Sequence, residues 1–240
     1  MNIALIGYGK MGKVIEEIAV ERGHTISAIV NSNNPIDKAD LSDTDVAIEF
    51  TQPDLAIGHI ELCFKHGIPI VVGTTGWHKS LDEIEEMTIE RSGSLLHASN
   101  FSIGVNVFFE VNKRLAELMS GKEAYSASLE ETHHTQKLDA PSGTAITLAN
   151  GILENNADYS SWVHGNETKP YFVEHQLPVI SYRKPDVPGT HVITYASEID
   201  TITLTHEAHN RKGFALGAVI SAEWIVGKKG VFTIKDVLNL

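Results

Sequence analysis

The chain has 240 residues, 42% hydrophobic and 21% charged, a balance that supports a packed core and excludes a disordered polypeptide. Its formal net charge is −12 with no lysine- or arginine-rich block, which argues against nucleic acid and anionic membrane as partners. No apolar run approaches the roughly 20 residues of a membrane span. The start, Met1-Asn2-Ile3-Ala4-Leu5-Ile6-Gly7, lacks the basic segment of a secretion signal, so a cytoplasmic protein is expected.

Ile3–Ile6 is a short apolar run of the kind found in a strand buried on both faces. After a glycine loop, Val14, Ile15, Ile18 and Ala19 recur at helical spacing, and Gly23 stands where a C-cap glycine belongs. Thr25–Val30 reads as a second strand and Val46–Phe50 as a third, ended by Thr51-Gln52-Pro53. The helix that follows runs to His66. It holds the only cysteine, Cys63, among Ile57, Ile60, Leu62 and Phe64, the setting of a buried structural thiol. Ile68–Val72 is a β-branched strand closed by Gly73-Thr74-Thr75-Gly76. Ser80 and Glu83 have capping-box spacing for a helix to about Arg91, and Leu95–Ala98 is one more strand. Strands alternating with helices imply right-handed crossovers and a parallel sheet, a Rossmann-like half.

The pattern changes after about Ile103. Tyr125, Ala127 and Leu129 alternate as a half-buried strand does, and strand runs follow at Tyr171–Val173, Val179–Tyr182, His191–Ala196 and Thr201–Thr205, separated by turn chemistry such as Pro188-Gly189. From Phe214 to Val226 a helix of small apolar residues returns to the first domain. The expected fold is α/β: a Rossmann-like dinucleotide-binding domain (1–103 and 214–240) with an inserted α+β domain (104–213) built on an open mixed sheet, for substrate binding and oligomerisation.

Gly7-Tyr8-Gly9-Lys10-Met11-Gly12 fits G-x-G-x-x-G directly after a strand and at the opening of a helix. Gly7 permits the tight turn, Gly9 lets a pyrophosphate approach the backbone, and Gly12 lets helix and strand pack closely. Gly73-Thr74-Thr75 and Ser99-Asn100-Phe101-Ser102 stand at other strand ends, where ligands of open α/β sheets sit. Plain turn chemistry explains them equally well. The second strand ends in Val30-Asn31-Ser32, without the acid that commonly selects NAD. Asn31 could bond a ribose without repelling a 2′-phosphate, which leaves NADH and NADPH both open.

Glu130 to Ala145 is the most informative run. It places His133, His134 and Lys137 within five positions, then breaks at Pro141 into Ser142-Gly143-Thr144, which looks like a helix start. Such a start offers free N–H groups to a carboxylate or phosphate, and clustered cations beside it repel one another unless an anion binds. The run therefore reads as a carboxylate site with proton donors. A metal reading fails on local geometry. His133 and His134 are adjacent and point to opposite sides of an extended segment, and His206-Glu207-Ala208-His209 is one residue short of H-E-x-x-H. His24, His59, His66, His78, His97, His164 and His175 are read as ordinary hydrogen-bonded residues.

With this spacing the run E-x-x-H-H-x-x-K-x-D-A-P-S-G-T closely resembles the signature of the dihydrodipicolinate reductase family. The Gly73–Gly76 turn and Asn100–Asn106 resemble that family's Gly-Thr-Thr-Gly and Asn-Phe-Ser-x-Gly-Val-Asn, and the likeness covers nearly the whole chain. The resemblance implies NADH- or NADPH-dependent reduction of a small cyclic dicarboxylate in lysine biosynthesis, without a metal. It implies His133 as catalytic acid/base, Lys137 as a second proton donor, and His134, Gly143 and Thr144 as substrate holders; Asp139 is read as structural, capping or bracing the loop. It also implies a homotetramer. Rival readings are a two-domain dehydrogenase of amino acids or aldehydes and a non-catalytic dinucleotide sensor. The His-His-x-x-Lys run speaks against both.

Overall fold

The computed structural model describes residues 1–166 and 175–240, and it divides into two units: Met1–Asn106 with Arg211–Leu240, and Val107–Asn210. The elements begin with β1 (Asn2–Ile6), α1 (Lys10–Glu21), β2 (Thr25–Val30), β3 (Val46–Glu49), α2 (Pro53–Lys65), β4 (Ile70–Val72), α3 (Leu81–Glu90), β5 (Ser94–His97) and α4 (Ile103–Met119). They continue with β6 (Ser126–His133), α5 (Gly143–Asn155), β7 (Ser161–Asn166), β8 (Gln176–Arg183), β9 (Gly189–Ala196), β10 (Thr201–Ala208), α6 (Lys212–Ile225), β11 (Gly230–Thr233) and α7 (Ile234–Leu238).

The first unit is a six-stranded sheet in the order β11-β5-β4-β3-β1-β2, parallel throughout. Ile3–Ile6 of β1 and Ile70–Val72 of β4 are continuously apolar because helices cover both faces. Ile3 and Leu5 of β1 join Ile48, Val71 and Leu96 against Ile15 and Ile18 of α1 and Ala215, Ala218 and Ala222 of α6. Ala4 and Ile6 point the other way and pack with Ile70 and Val72 on Ile60, Cys63 and Phe64 of α2 and Ile84 of α3. Each fully buried aliphatic side chain is worth about 1.5–3 kcal/mol. Burial pushes the Cys63 thiol up to about 12, in line with a structural role. The chain lays β2 on one side of β1 and β3 on the other, so the switch point that holds ligands in such sheets falls between β1 and β3.

The second unit is a five-stranded mixed sheet, β10-β9-β6-β8-β7, antiparallel from β10 to β6 and parallel from β6 to β7. Ala127, Leu129, Leu177, Val179, Ile193 and Tyr195 cover one face and bury it against α4 and α5. The opposite face carries Ser128, Glu130 and Thr132 of β6 beside Val192 and Thr194 of β9, all half-buried. Among the described residues no helix is long and apolar enough to cross a membrane.

Three local expectations need correction or completion. Ser80 makes no side-chain cap, because it closes a 3-10 turn, His78–Ser80, ahead of α3. A capping box forms instead at Thr233 and Asp236. The change of pattern after Ile103 is a 17-residue helix, α4, whose Val105, Phe108, Asn112, Ala116 and Met119 are buried at helical spacing. The strand expected at Tyr171–Val173 lies outside the described residues.

Candidate active site

In the first unit the glycine loop separates into two kinds of position. A Cβ on Gly7 would lie 2.1 Å from the Phe50 carbonyl oxygen, and one on Gly12 would lie 2.3 Å from that of Gly7. Gly7 also has φ +98, which L side chains rarely adopt. A Cβ on Gly9 would meet nothing within 4 Å. The fold therefore requires the outer glycines, and the middle one faces open space at the start of α1, which has no side-chain cap and no acid in its first turn. Lys10 is exposed, Met11 is half-buried, and the Tyr8 hydroxyl donates to Glu16, whose carboxylate raises the phenol.

The other turns at this end of the sheet hold one another. Thr51 N–H donates to Thr74 Oγ1 at 2.7 Å, Trp77 Nε1 to Thr74 O at 2.8 Å, and Gly73 N–H to Glu49 O at 2.8 Å. Thr75 is exposed. Asn100 Oδ1 accepts from Ser102 N–H at 2.9 Å, and the Asn106 side chain donates to the carbonyls of Asn100 and Ser102. Ser99 is exposed, whereas the Phe101 ring is buried in the core, so only its backbone can face a ligand. Asn31 Oδ1 accepts from Asn33 and Asn34 N–H, which ties it into its own turn.

In the second unit β6 alternates Ala127, Leu129, Glu131 and His133 onto the helix-covered face, so an acid and a histidine take core positions at its end. His134 starts the loop, and its carbonyl accepts from Lys137 N–H at 3.1 Å. Lys137 Nζ pairs with Asp139 at 2.8 Å, which lowers the Asp139 carboxyl. Arg183 of β8 donates to the carbonyls of Lys137 and Asp139 at 3.3 and 2.7 Å, stapling the loop to the sheet.

The loop ends at Ser142, the N-cap of α5, whose Oγ accepts from Ala145 N–H at 3.2 Å. Ser142 N–H donates to both oxygens of Glu131 at 3.1 Å, and Ile146 N–H donates to Ser142 O. Among the described residues no acceptor takes the amides of Gly143 and Thr144, at an exposed helix end where a Cβ on Gly143 would meet nothing within 4 Å.

Glu131 also takes Ser181 Oγ at 2.7 Å and the Arg183 guanidinium at 3.3 Å. Burial pushes this carboxyl up. Hydrogen bonds from Ser142 and Ser181 and the charge of His133 outweigh that and hold it below its ordinary value. Burial pushes His133 down, opposed by Glu131 and reinforced by Lys137 and Arg183. His191 of β9 lies edge-on to His133, ring centroids 5.1 Å apart, and burial with the His133 charge pushes it down to about 4.

The structure thus gathers His133, His134, Lys137, Gly143 and Thr144 at one end of the second sheet, and the glycine loop with the turns at 73–75 and 99–102 at one end of the first. Sequence reasoning missed Glu131, Ser181, Arg183 and His191 as members of the site. Glu131, His133 and His191 have donor atoms within 4.8 Å of one another, a combination that an argument from neighbouring histidines does not test. Both Glu131 oxygens are already engaged, and a cation there would face the Arg183 guanidinium. The cluster is better suited to holding a proton than a metal.

Two sequence models of one family match, "Dihydrodipicolinate reductase, N-terminus" over residues 1–101 and "Dihydrodipicolinate reductase, C-terminus" over 104–238. The 4-hydroxy-tetrahydrodipicolinate reductase of Christiangramia forsetii is 49% identical, with 100% of this chain and 98% of the relative covered. That of Alkaliphilus metalliredigens is 32% identical over 97% of this chain and 96% of the relative. Among solved structures, dipicolinate-bound dihydrodipicolinate reductase from Paenisporosarcina sp. TG-14 shares the fold at TM-score 0.77, with 23% identity and 97% of each chain covered. The chain belongs to the dihydrodipicolinate reductase family.

Proposed function

We propose that His133, His134, Lys137, Gly143 and Thr144 are the substrate site for this chain's reduction of 4-hydroxy-tetrahydrodipicolinate in lysine and diaminopimelate biosynthesis. The observation that carries the assignment is the pair of amides on Gly143 and Thr144 that no described residue accepts from, beside a buried imidazole and an ammonium. One substrate carboxylate takes the two amides at the positive end of α5, and His134 and Lys137 supply donors for the other. His133 gives the ring the proton that pairs with the incoming hydride, Lys137 serves as a second donor, and the substrate hydroxyl leaves as water together with a hydrogen of the neighbouring ring carbon. Asp139 holds the Lys137 ammonium in place until a carboxylate competes for it.

The bound coenzyme, NADH or NADPH, supplies the hydride. In the first unit the Gly7–Gly12 loop, with Tyr8, Lys10 and Met11, receives the pyrophosphate over Gly9, where the backbone is unobstructed. Gly73–Thr75 and Ser99–Ser102 hold the nicotinamide half, and Asn31 meets the adenosine ribose. No acid follows β2 to repel a 2′-phosphate, and no arginine follows it to select one. Both coenzymes are accepted.

Residues 104–213 act as the substrate and oligomerisation domain and the remainder as the dinucleotide domain. The face of the second sheet opposite α4 and α5 packs copies into a homotetramer that works in the cytoplasm. The test is a coupled assay in which dihydrodipicolinate synthase generates the substrate and loss of NADH or NADPH is followed optically. Turnover with both, at kcat/KM values within roughly 100-fold (about 2.7 kcal/mol), is expected. Turnover of amino acids or aldehydes in place of this substrate would refute the assignment, and a preference of about 1,000-fold or more would refute the reading of the β2 end.

A further inference from the structure

Glu131 is fully buried two residues before His133 on β6, and no step described above uses it. Residues two apart on a strand leave the same face, which brings Glu131 Oε2 to 3.4 Å from His133 Nδ1. That nitrogen is sealed from solvent and has no hydrogen-bond partner among the described residues. The carboxylate cannot turn away. Ser142 N–H holds both its oxygens, Ser181 Oγ and the Arg183 guanidinium hold Oε1, and His191 Nε2 stands 3.8 Å from Oε2. The strand register produces this arrangement, with Glu131 opposite His191 on one side and Ser181 on the other. On the far edge of the His133 ring Gly189 leaves room, since a Cβ there would come within 3.0 Å of Nε2.

We propose that Glu131 is the positioning residue for His133, fixing the imidazole with a proton on Nδ1 so that Nε2 is the atom that exchanges a proton with substrate. The inference rests on His133 being the proton donor. A neutral imidazole facing a fixed carboxylate keeps its one proton on the nearer nitrogen, because only that tautomer donates to the acid. The separation of 3.4 Å is longer than a formed hydrogen bond, and such contacts tighten when substrate binds or the ring is protonated. The titratable and charged groups facing the ring are Glu131 on its own strand, Arg183 on β8, His191 on β9, and Lys137 and Asp139 on the loop. His191, pushed down to about 4, is neutral near pH 7 and leaves the carboxylate to His133 and Arg183. Burial, Lys137 and Arg183 all weaken proton binding at His133, and the Glu131 carboxylate is the main influence against them.

Nitrogen NMR of the wild-type histidines, with His133→Gln to assign the signal, should find neutral His133 protonated on Nδ1. A proton on Nε2 overturns the proposal, and this measurement needs no folded Glu131 variant. In Glu131→Gln, kcat should fall at least about tenfold. Its loss of activity with rising pH should begin about one pH unit lower or more, because an acid catalyst must be protonated and has lost its counter-charge. NADH binding and substrate KM should stay within about threefold of wild type. Wild-type kcat with an unmoved pH limb in Glu131→Gln overturns the proposal. Full turnover in His133→Gln overturns the donor assignment instead, so the two failures are distinct.

Discussion

Gly189→Ala is a small substitution aimed at one atom. Its Cβ would stand 3.0 Å from His133 Nε2 and 3.2 Å from Cδ2, where relaxed contacts lie at about 3.5 Å or more. The ring must give by roughly half an ångström. It has little freedom to do so, with Glu131 Oε2 3.4 Å from Nδ1 and the His191 ring 5.1 Å away. Overpacking of this kind costs about 1–3 kcal/mol, and a displacement of about 1 Å at a reacting group costs on the order of 100-fold, so half of that predicts roughly a tenfold fall in kcat/KM. Gly189 lies outside the first unit, so NADH affinity should not change. The synthase-coupled assay, an NADH titration and a urea melt on one preparation separate these effects. A folded Gly189→Ala enzyme with wild-type kcat/KM would show that the Nε2 edge is not where substrate is met.

Lys137→Ala should lower kcat and raise substrate KM together, because the ammonium is asked both to bind a carboxylate and to donate a proton. A change in stability alone, read by steady-state kinetics beside a melt, would make the loop structural. Gly7→Ala should cost about 3 kcal/mol or more in denaturant titration, since its methyl would overlap the Phe50 carbonyl at a positive φ. Gly9→Ala should change stability by less than about 0.5 kcal/mol but weaken NADH binding at least about tenfold. Unchanged NADH affinity in that variant would remove the loop from the cofactor site. His191 titrates at about 4 when folded, against 6.5 ordinarily, so between these values the unfolded chain binds more protons. Stability should therefore fall as pH drops from about 6.5 to about 4, by up to about 3 kcal/mol, with a shallower slope in His191→Asn. Equal slopes in urea melts of the two proteins would contradict this.

The first sheet was legible because each of its early elements carries its own signal. Ile3–Ile6 is apolar on both faces, Gly7 and Gly12 stand where backbone crowding demands them, and Gly23, at φ +83, ends α1. Helix α4 was within reach as well, since its buried positions follow helical spacing, Ser102 Oγ accepts from Val105 N–H at its start, and Gly121, at φ +71, follows its end. In the site, His133 to Thr144 could be read because one loop carries all of it. Arg183, Ser181 and His191 come from β8 and β9, and only the register of β6 between those strands brings them together. Strand order is not written in local pattern. Glu131 was within reach, since the alternation Ala127, Leu129, Glu131, His133 already puts an acid in the core. His133 and His191 are likewise adjacent only across strands, so sequence neighbours alone do not reveal their cluster with Glu131.

The turnover number of His133→Gln in the synthase-coupled assay tests the central claim most directly. Proton donation by a positioned side chain is worth roughly 10²–10⁴-fold, and the variant should lose that factor in kcat while it folds and binds NADH as the wild type does. Near-wild-type turnover would remove His133 from the chemistry, and with it the reading of Glu131 and Gly189 as the groups that aim it.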